Sequence, residues 1–326
     1  MRFDHSVFRR AVLLVFLIVP SHLLFGQAVA PGDQAAGDPQ SQSQEQQRTF
    51  RVNVRLVNVF TTVTDSHGAP IANLTKDDFR ILEDGVPQTI SVFDKESELP
   101  LSVALVVDTS GSTRRDIVLD TSSAKKFVHS IVRPVDRLAL FQLSENVDQL
   151  TRFTSDLKAI DHGIDRLIGG SGTSLYDAIY LSADTLLDRQ GRKVIVLITD
   201  GGDTTSTTTY NAALRRAQEA EAIVYSIIVV PVAADAGRNL GGEHALIQIS
   251  RDTGGKYYYA ESVAQLDDAF RQVSEELRTQ YLIAFYPNRR VAAPFRRIKV
   301  EVGKKDSNGT DFQVRHRAGY YTAPAK

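Results

Sequence analysis

The 326-residue sequence predicts an α/β protein in which a doubly wound, mostly parallel sheet is flanked by helices. A small β unit, built from strands near both ends of the chain, is expected beside it. In the middle of the chain, continuous apolar runs of strand length alternate with segments of helical periodicity, which is typical of a parallel sheet covered on both faces. On either side of that region, apolar and polar residues alternate with the period of half-buried strands.

The predicted elements follow the chain in that order. Strands are expected at 50–63, 79–82, 88–93, 101–107, 138–143, 147–153, 193–199, 223–230, 256–260, 280–286, 297–302 and 312–317. Helices are expected at 116–132, 156–167, 174–187, 209–221 and 262–278. Glu83-Asp84-Gly85 is predicted to form a hairpin turn.

The composition is that of a globular protein and excludes several functions. Hydrophobic residues make up 42% of the chain and charged residues 24%. The absence of cysteine excludes disulfides, thiolate zinc sites, iron–sulfur clusters and a cysteine nucleophile. A net charge of −1 provides no field that would attract nucleic acid, so no nucleic-acid partner is expected.

The N-terminal segment 1–30 predicts a secretory signal peptide, because arginines precede an apolar run at 11–25 and small residues follow it. Cleavage is expected near Ala28 or Ala30, and Ala28 is favoured because Pro31 would follow a cut after Ala30. An uncleaved N-terminal anchor is the alternative. No later stretch is long and apolar enough to span a membrane. We therefore expect a secreted, periplasmic or envelope protein, and the lack of cysteine fits a bacterial one.

The mature chain divides into four predicted parts. Residues 31–48 are rich in Gln, Ser and Pro and predict a flexible linker. A small β unit is expected at 49–97, the doubly wound domain at 98–280, and C-terminal strands with a tail at 281–326.

Three polar clusters lie at or beside strand ends, where doubly wound sheets bind ligands. Residues 108–112 read Asp-Thr-Ser-Gly-Ser, residues 169–173 read Gly-Gly-Ser-Gly-Thr, and residues 199–203 read Thr-Asp-Gly-Gly-Asp. They provide carboxylate and hydroxyl oxygens and no soft donors, which favours Mg²⁺. In an extended turn after a strand, the alternate residues Asp108, Ser110 and Ser112 can point the same way.

These clusters resemble the von Willebrand factor type A domain with its metal-ion-dependent adhesion site. The likeness covers roughly residues 98–280, and the motif positions occur in the family's order and structural context. They are Asp108, Ser110, Ser112, Thr173 and Asp200.

The resemblance implies a role for each of these residues. Ser110, Ser112 and Thr173 would bind the ion directly, whereas Asp108 and Asp200 would act mainly through bound water. One coordination position would stay open for an Asp or Glu carboxylate of a partner protein. Mg²⁺ is the expected ion, with Mn²⁺ or Ca²⁺ as alternatives.

The flanking segments resemble a secreted bacterial subfamily, the VWFA-related Acidobacterial domain proteins. The likeness lies in residues 63–68, 74–85 and 317–321. It implies no biochemical role.

We therefore expect an exported adhesion-type protein that binds a partner through a divalent cation. The alternative is a structural or assembly subunit of a bacterial envelope complex, in which the metal is only a staple. An enzyme is not expected, because the sequence has no Gly-x-Ser-x-Gly motif and its histidines are scattered. No small-molecule substrate is expected either.

Four further features have simpler interpretations. Asp203 is a possible outer-shell residue that could instead cap its loop, and Asp177 is interpreted as structural. Residues 257–259, three tyrosines, predict a sheet edge. The arginines at 289–290 and 296–297 predict a solvated basic hairpin.

Overall fold

A computed structural model describes residues 56–95, 99–111, 121–230, 239–287 and 293–322. All of them belong to one compact unit, Val52–Lys326. The predicted signal segment at 1–30 and the linker at 31–48 lie outside the described residues. Within the described part of the chain, no helix has both the length and the apolar composition that crossing a membrane requires.

The described chain alternates strands and helices through its middle. The strands are β1 (Val57–Thr64), β2 (Phe79–Glu83), β3 (Val86–Gln88), β4 (Ile90–Asp94), β5 (Leu101–Asp108), β6 (Arg137–Leu143), β7 (Val147–Thr154), β8 (Arg192–Thr199), β9 (Ala222–Val229), β10 (Tyr257–Ala260), β11 (Tyr281–Phe285), β12 (Phe295–Val302), β13 (Gln313–Arg315) and β14 (Gly319–Tyr321). The α-helices are α1 (Thr121–Ile131), α2 (Leu157–Ile164), α3 (Leu175–Leu186), α4 (Tyr210–Glu219), α5 (Leu240–Thr253) and α6 (Val263–Thr279).

The central sheet has the strand order β10-β9-β8-β5-β6-β7, and all neighbours are parallel except β6 and β7. Every residue of β5, β8 and β9 is buried, which explains their continuous apolar sequences. Alternate residues of β5 enter two different cores, with Leu105 on the side of α1 and α6 and Val106 on the side of α3 and α4. The predicted doubly wound α/β fold is confirmed. The tyrosines of β10 form an edge strand, also as predicted.

Helix α5 has no counterpart among the predicted elements. Its first turn contains Gly241 and Gly242, which are poor helix formers, and its apolar spacing is weak. The signals that mark it are at its ends: the Asn239 side chain accepts a hydrogen bond from the Gly242 N–H, and Gly254 ends the helix in the left-handed conformation at φ 84°.

The remaining strands form two antiparallel sheets, ordered β13-β1-β11-β4 and β14-β12-β2-β3. Val59, Ile81 and Phe285 belong to the apolar core that these sheets share. The expected β unit of N-terminal and C-terminal strands is therefore present. The single strand expected at 88–93 is wrong, because β3 pairs with β2 whereas β4 joins the other sheet through β11.

The arginines expected on a solvated hairpin do not share one environment. Arg296 is only 4% exposed, and its Nη1 lies 2.6 Å from Oε2 of the equally buried Glu83. Tyr320 donates a hydrogen bond to the other oxygen of Glu83. Arg297 is exposed as predicted, and residues 289–290 lie outside the described ranges.

Replacing Arg296 with Met should lower the free energy of unfolding by about 3–5 kcal/mol, because the Glu83 carboxylate would stay buried without its cation. Urea denaturation measures the loss. Lys299→Met is the matched control on the same strand, since Lys299 pairs with Glu301 at the surface, 2.7 Å away, and should unfold like the wild type. Equal stability of the two variants would contradict the assigned role of the buried pair.

Candidate functional site

The candidate site lies at the end of the central sheet where the parallel strands have their carboxyl ends. Strand β5 lies between β6 and β8. The chain passes from β5 to β6 on one side, and β8 followed by β9 extends the sheet on the other side. The strand order therefore reverses at β5, and ligands of doubly wound sheets bind at such a switch point.

Asp108, the last residue of β5, is held by hydrogen bonds at both carboxylate oxygens. Oδ1 accepts from the Ser110 N–H at 2.9 Å, and Oδ2 accepts from the Thr199 hydroxyl at 2.6 Å. Burial raises the pKa of Asp108 to about 6; the hydrogen bonds from Thr199 and Ser110 oppose the rise, and the nearby charge of Asp200 adds to it. The carboxyl group is thus fixed in place at the centre of the switch point.

Thr199 is the functional residue that the sequence interpretation missed. It ends β8, and the register of the parallel pair β5–β8 brings it beside Asp108. Its hydroxyl donates to Asp108 and accepts from the Gly201 N–H at 3.1 Å. A hydroxyl residue directly after the apolar run 194–198 was the available signal.

The loop at 169–173 is tied directly to the loop that follows β5. The Gly170 N–H donates to the Thr109 carbonyl at 2.9 Å. A side chain at position 170 has no room, because a Cβ there would lie 2.4 Å from the Ser144 Cβ. Glycine at this position therefore allows the 169–173 loop to pack against Ser144, which follows β6.

Thr173 is joined by its backbone to the segment that follows β8. Its N–H donates to the Thr204 hydroxyl at 2.9 Å, and its carbonyl accepts from the N–H groups of Thr204 and Thr205. Thr173 is only 3% exposed, and its hydroxyl forms no hydrogen bond with any residue that the structure describes. The oxygen itself is not one of the fully buried, unpaired side-chain atoms, so an ion could reach it, and it is a candidate ligand atom.

Asp200 and Asp203 have different surroundings. One oxygen of Asp200 accepts from the Gly202 N–H at 3.1 Å, and Asp200 is close enough to Asp108 to influence its pKa. Oδ1 of Asp203 accepts from the Leu175 N–H at 2.9 Å and from the Ser206 hydroxyl at 2.5 Å. Asp203 therefore caps the first turn of α3.

Asp177 has a structural role, as expected. Burial favours its neutral form, but hydrogen bonds from Thr208 and Thr207 outweigh that effect and hold the pKa of Asp177 below its usual value. Its carboxylate accepts from both of these backbone N–H groups, at 2.8 and 3.0 Å. These bonds fix the Ser/Thr-rich loop against α3.

The structure thus brings most of the predicted site residues close together. Asp108, Ser110 and Asp200 lie together at the switch point, and direct hydrogen bonds tie the Thr173 loop to its neighbours. Ser112 lies outside the described residues.

The available donors are carboxylate and hydroxyl oxygens. Among the residues that the structure describes, no group of three or more His, Asp or Glu side chains could hold a metal ion. A site at the switch point would therefore rely on the hydroxyls of Ser110 and Thr173 beside two carboxylates. Such oxygens fit a hard cation that keeps several of its waters, as Mg²⁺ does.

The comparison with protein families agrees with the doubly wound architecture. Residues 102–272 match the model of the von Willebrand factor type A domain. Because the match covers more than half of the chain, the chain belongs to the von Willebrand factor type A family. The predicted likeness to the Acidobacterial subfamily stays a prediction.

Solved structures of this fold are similar at low identity. BatB from Bacteroides thetaiotaomicron is 18% identical, covering 55% of this chain and 100% of its own, with a TM-score of 0.45. The vWF domain of the type V pili tip protein Mfa5 from Porphyromonas gingivalis is 15% identical over 54% and 94%, with a TM-score of 0.44. A von Willebrand factor type A protein from Catenulispora acidiphila is 11% identical over 75% and 73%, with a TM-score of 0.46. No curated protein matches the chain. These likenesses concern the fold alone.

Without divalent cations, the raised pKa of Asp108 should make the protein less stable as pH rises from about 4 to 7. The folded state keeps the Asp108 proton up to about pH 6, whereas an unfolded Asp loses it near 3.8. Asp108→Asn should therefore increase the free energy of unfolding at pH 7, by up to about 2–3 kcal/mol at 1.4 kcal/mol per pKa unit. Urea denaturation of the wild type and of Asp108→Asn, in EDTA at several pH values, measures the difference between their free energies of unfolding.

Asp177→Asn is the matched control, because the pKa of Asp177 is lowered and its replacement should reduce stability at neutral pH. Parallel pH curves for the wild type and Asp108→Asn would show that Asp108 titrates normally.

Proposed function

We propose that this protein is an exported binding protein whose interaction with a partner protein depends on a divalent cation, with Mg²⁺ as the resident ion. The ion would be held by the set Asp108, Ser110, Ser112, Thr173 and Asp200. The observation that carries the proposal is the Thr173 hydroxyl, which lacks a hydrogen-bond partner among the described residues and lies on a loop tied to that of Asp108.

The hydrogen bonds at Asp108 support an indirect role for its carboxylate. Both oxygens already accept hydrogen bonds from the chain, so contact with an ion through water fits their geometry better than direct ligation. The hydroxyls of Ser110, Ser112 and Thr173 are neutral ligands. A bound Mg²⁺ would supply an electrophilic centre that attracts an acidic side chain of the partner.

The proposal assigns no catalytic step and no small-molecule substrate. The loops at 108–111, 169–173 and 199–206 contain carboxyl and hydroxyl groups but no histidine or lysine. Export is proposed from the predicted signal peptide at 1–30, and the linker at 31–48 would then tether the folded part.

Thr173→Ala should weaken Mg²⁺ binding at least tenfold, because it removes one ligand oxygen from a small set. Isothermal titration of the purified protein with Mg²⁺ and with Mn²⁺ measures this. Asp108→Ala should abolish saturable binding.

Thr207→Ala is the matched control, since Thr207 is an exposed hydroxyl residue of the neighbouring loop and makes only long hydrogen bonds, of 3.3 and 3.4 Å, from its side chain. It should bind like the wild type. Identical titrations for all four proteins would contradict the proposed ligand set.

Chelation distinguishes the proposed function from a metal staple. Direct hydrogen bonds already join the three loops, so EDTA should change the melting temperature by only a few degrees while abolishing partner binding. A scanning calorimeter measures the shift with and without Mg²⁺. Loss of the folded state on chelation would favour a purely structural role for the metal.

A further inference from the structure

The loop after β8 continues into an unbroken run of hydroxyl residues. Residues 204–209 read Thr-Thr-Ser-Thr-Thr-Thr and begin shortly after Asp200. None of these hydroxyls belongs to the proposed ligand set. Serine and threonine side chains bond readily to backbone groups, so the partners of these hydroxyls indicate what the run does.

Helix α3, which begins two residues after Thr173, is not capped by its own N-cap residue. The Ser174 side chain makes no capping hydrogen bond to the helix. Its hydroxyl donates instead to the Glu145 carbonyl at 2.7 Å. The first N–H groups of a helix have no partner within the helix, so those of α3 need acceptors from elsewhere.

The acceptors come from the hydroxyl run and from the residue before it. The Leu175 N–H donates to Oδ1 of Asp203 at 2.9 Å. The N–H groups of Tyr176 and Asp177 donate to the Ser206 hydroxyl at 2.9 and 3.2 Å. The Ser206 hydroxyl in turn donates to Asp203 at 2.5 Å. The segment that follows β8 therefore caps the first turn of α3.

Thr204 lies inside this capping segment and bonds to Thr173 at two points. The Thr204 hydroxyl accepts from the Thr173 N–H at 2.9 Å, and the Thr204 N–H donates to the Thr173 carbonyl at 2.9 Å. One residue thus holds both backbone polar groups of Thr173. Thr173 is 3% exposed, whereas Thr204 is an exposed residue, so the Thr204 side chain contributes a hydrogen bond rather than core packing.

These bonds tie the position of Thr173 to the loop that carries Asp200. The segment 203–206 holds Thr173 itself and also the helical turn that follows it. A metal ligand must be held within about 0.5 Å of its productive position. With its backbone fixed, Thr173 retains only the rotation of its side chain, which branching at Cβ restricts further.

We propose that Thr204 is a positioning residue for the divalent cation: by holding the backbone of Thr173, it fixes the Thr173 hydroxyl as a ligand of the ion beside Asp200. Thr204 itself does not touch the ion. This inference rests on the proposed function and adds to it a residue from outside the ligand set. It also gives the first residue of the hydroxyl run a role in ion binding.

Thr204→Val keeps the size of the side chain and removes only the hydroxyl. It should weaken Mg²⁺ binding by about tenfold, the lower end of what the loss of a group that orients a metal ligand costs. Thr204→Ser keeps the hydroxyl and should bind nearly like the wild type. Isothermal titration of the three purified proteins with Mg²⁺ measures these affinities.

Thr207→Val is the matched control. It makes the same change three positions further along the run, where the hydroxyl makes only long hydrogen bonds of 3.3 and 3.4 Å. It should bind Mg²⁺ like the wild type. Melting temperatures measured in EDTA check that every variant is folded.

A double-mutant cycle tests whether Thr204 acts through Thr173. In the Thr173→Ala background, the oxygen that Thr204 positions is already gone. Adding Thr204→Val there should change the Mg²⁺ affinity by less than about twofold, whereas the effects of two independent residues would multiply.

Hydrogen exchange provides a readout that needs no metal. In EDTA, the Thr173 amide should exchange about tenfold faster in Thr204→Val than in the wild type, because the amide has lost its acceptor. Thr204→Ser and Thr207→Val should leave its exchange rate unchanged. NMR spectroscopy follows this amide individually, and equal rates in Thr204→Val and the wild type would contradict the hold on Thr173.

The outcomes separate the two proposals. Absence of saturable Mg²⁺ binding by the wild type, or unchanged affinity in Thr173→Ala, would overturn the proposed function and this inference with it. If Thr173→Ala binds weakly, three results would each overturn only the role of Thr204. They are wild-type affinity of Thr204→Val, weak binding by Thr204→Ser, and an undiminished effect of Thr204→Val in the Thr173→Ala background.

Discussion

The 2.6 Å hydrogen bond from the Thr199 hydroxyl to Asp108 joins the carboxyl ends of two adjacent parallel strands, and the candidate site depends on it. The register of β5 and β8 pairs Val107 with Ile198, so the next residue of each strand comes to lie side by side. A one-residue shift of this register would move every side chain of a strand into the core on the other face, where the packing differs. The loops that follow the strands therefore start from fixed positions.

The site concentrates polar groups where burial is unfavourable for them. Burial raises the pKa of Asp108, and Thr173, a residue only 3% exposed, has a hydroxyl without a hydrogen-bond partner in the described part of the chain. Natural proteins tolerate such local violations mainly at functional sites. Here the large apolar cores on both faces of the central sheet stabilise the fold enough to offset the cost of burying these polar groups.

The two antiparallel sheets contact the central domain near the amino end of β9, where Arg317 lies 3.6 Å from Glu221. Gln280, between α6 and β11, donates to Thr62 of β1 and to Tyr225 of β9, at 3.3 Å each. Arg315 of β13 forms an ion pair of 2.7 Å with the buried Glu276 of α6. The carboxyl end of the sheet is thereby left to its loops, where the candidate site lies.

The sequence by itself determined the alternation of strands and helices, and it placed Asp108, Thr173 and Asp200 in loops that meet at one end of a sheet. The hydrophobic periodicity of a segment indicates which of its faces is buried. That information is sufficient to predict a doubly wound domain. Only the tertiary structure decided that β3 and β4 join different sheets, that Arg296 is buried against Glu83, and that Asp203 caps α3. These outcomes depend on partners far away in the chain, and local sequence patterns do not encode which distant segment a residue will meet.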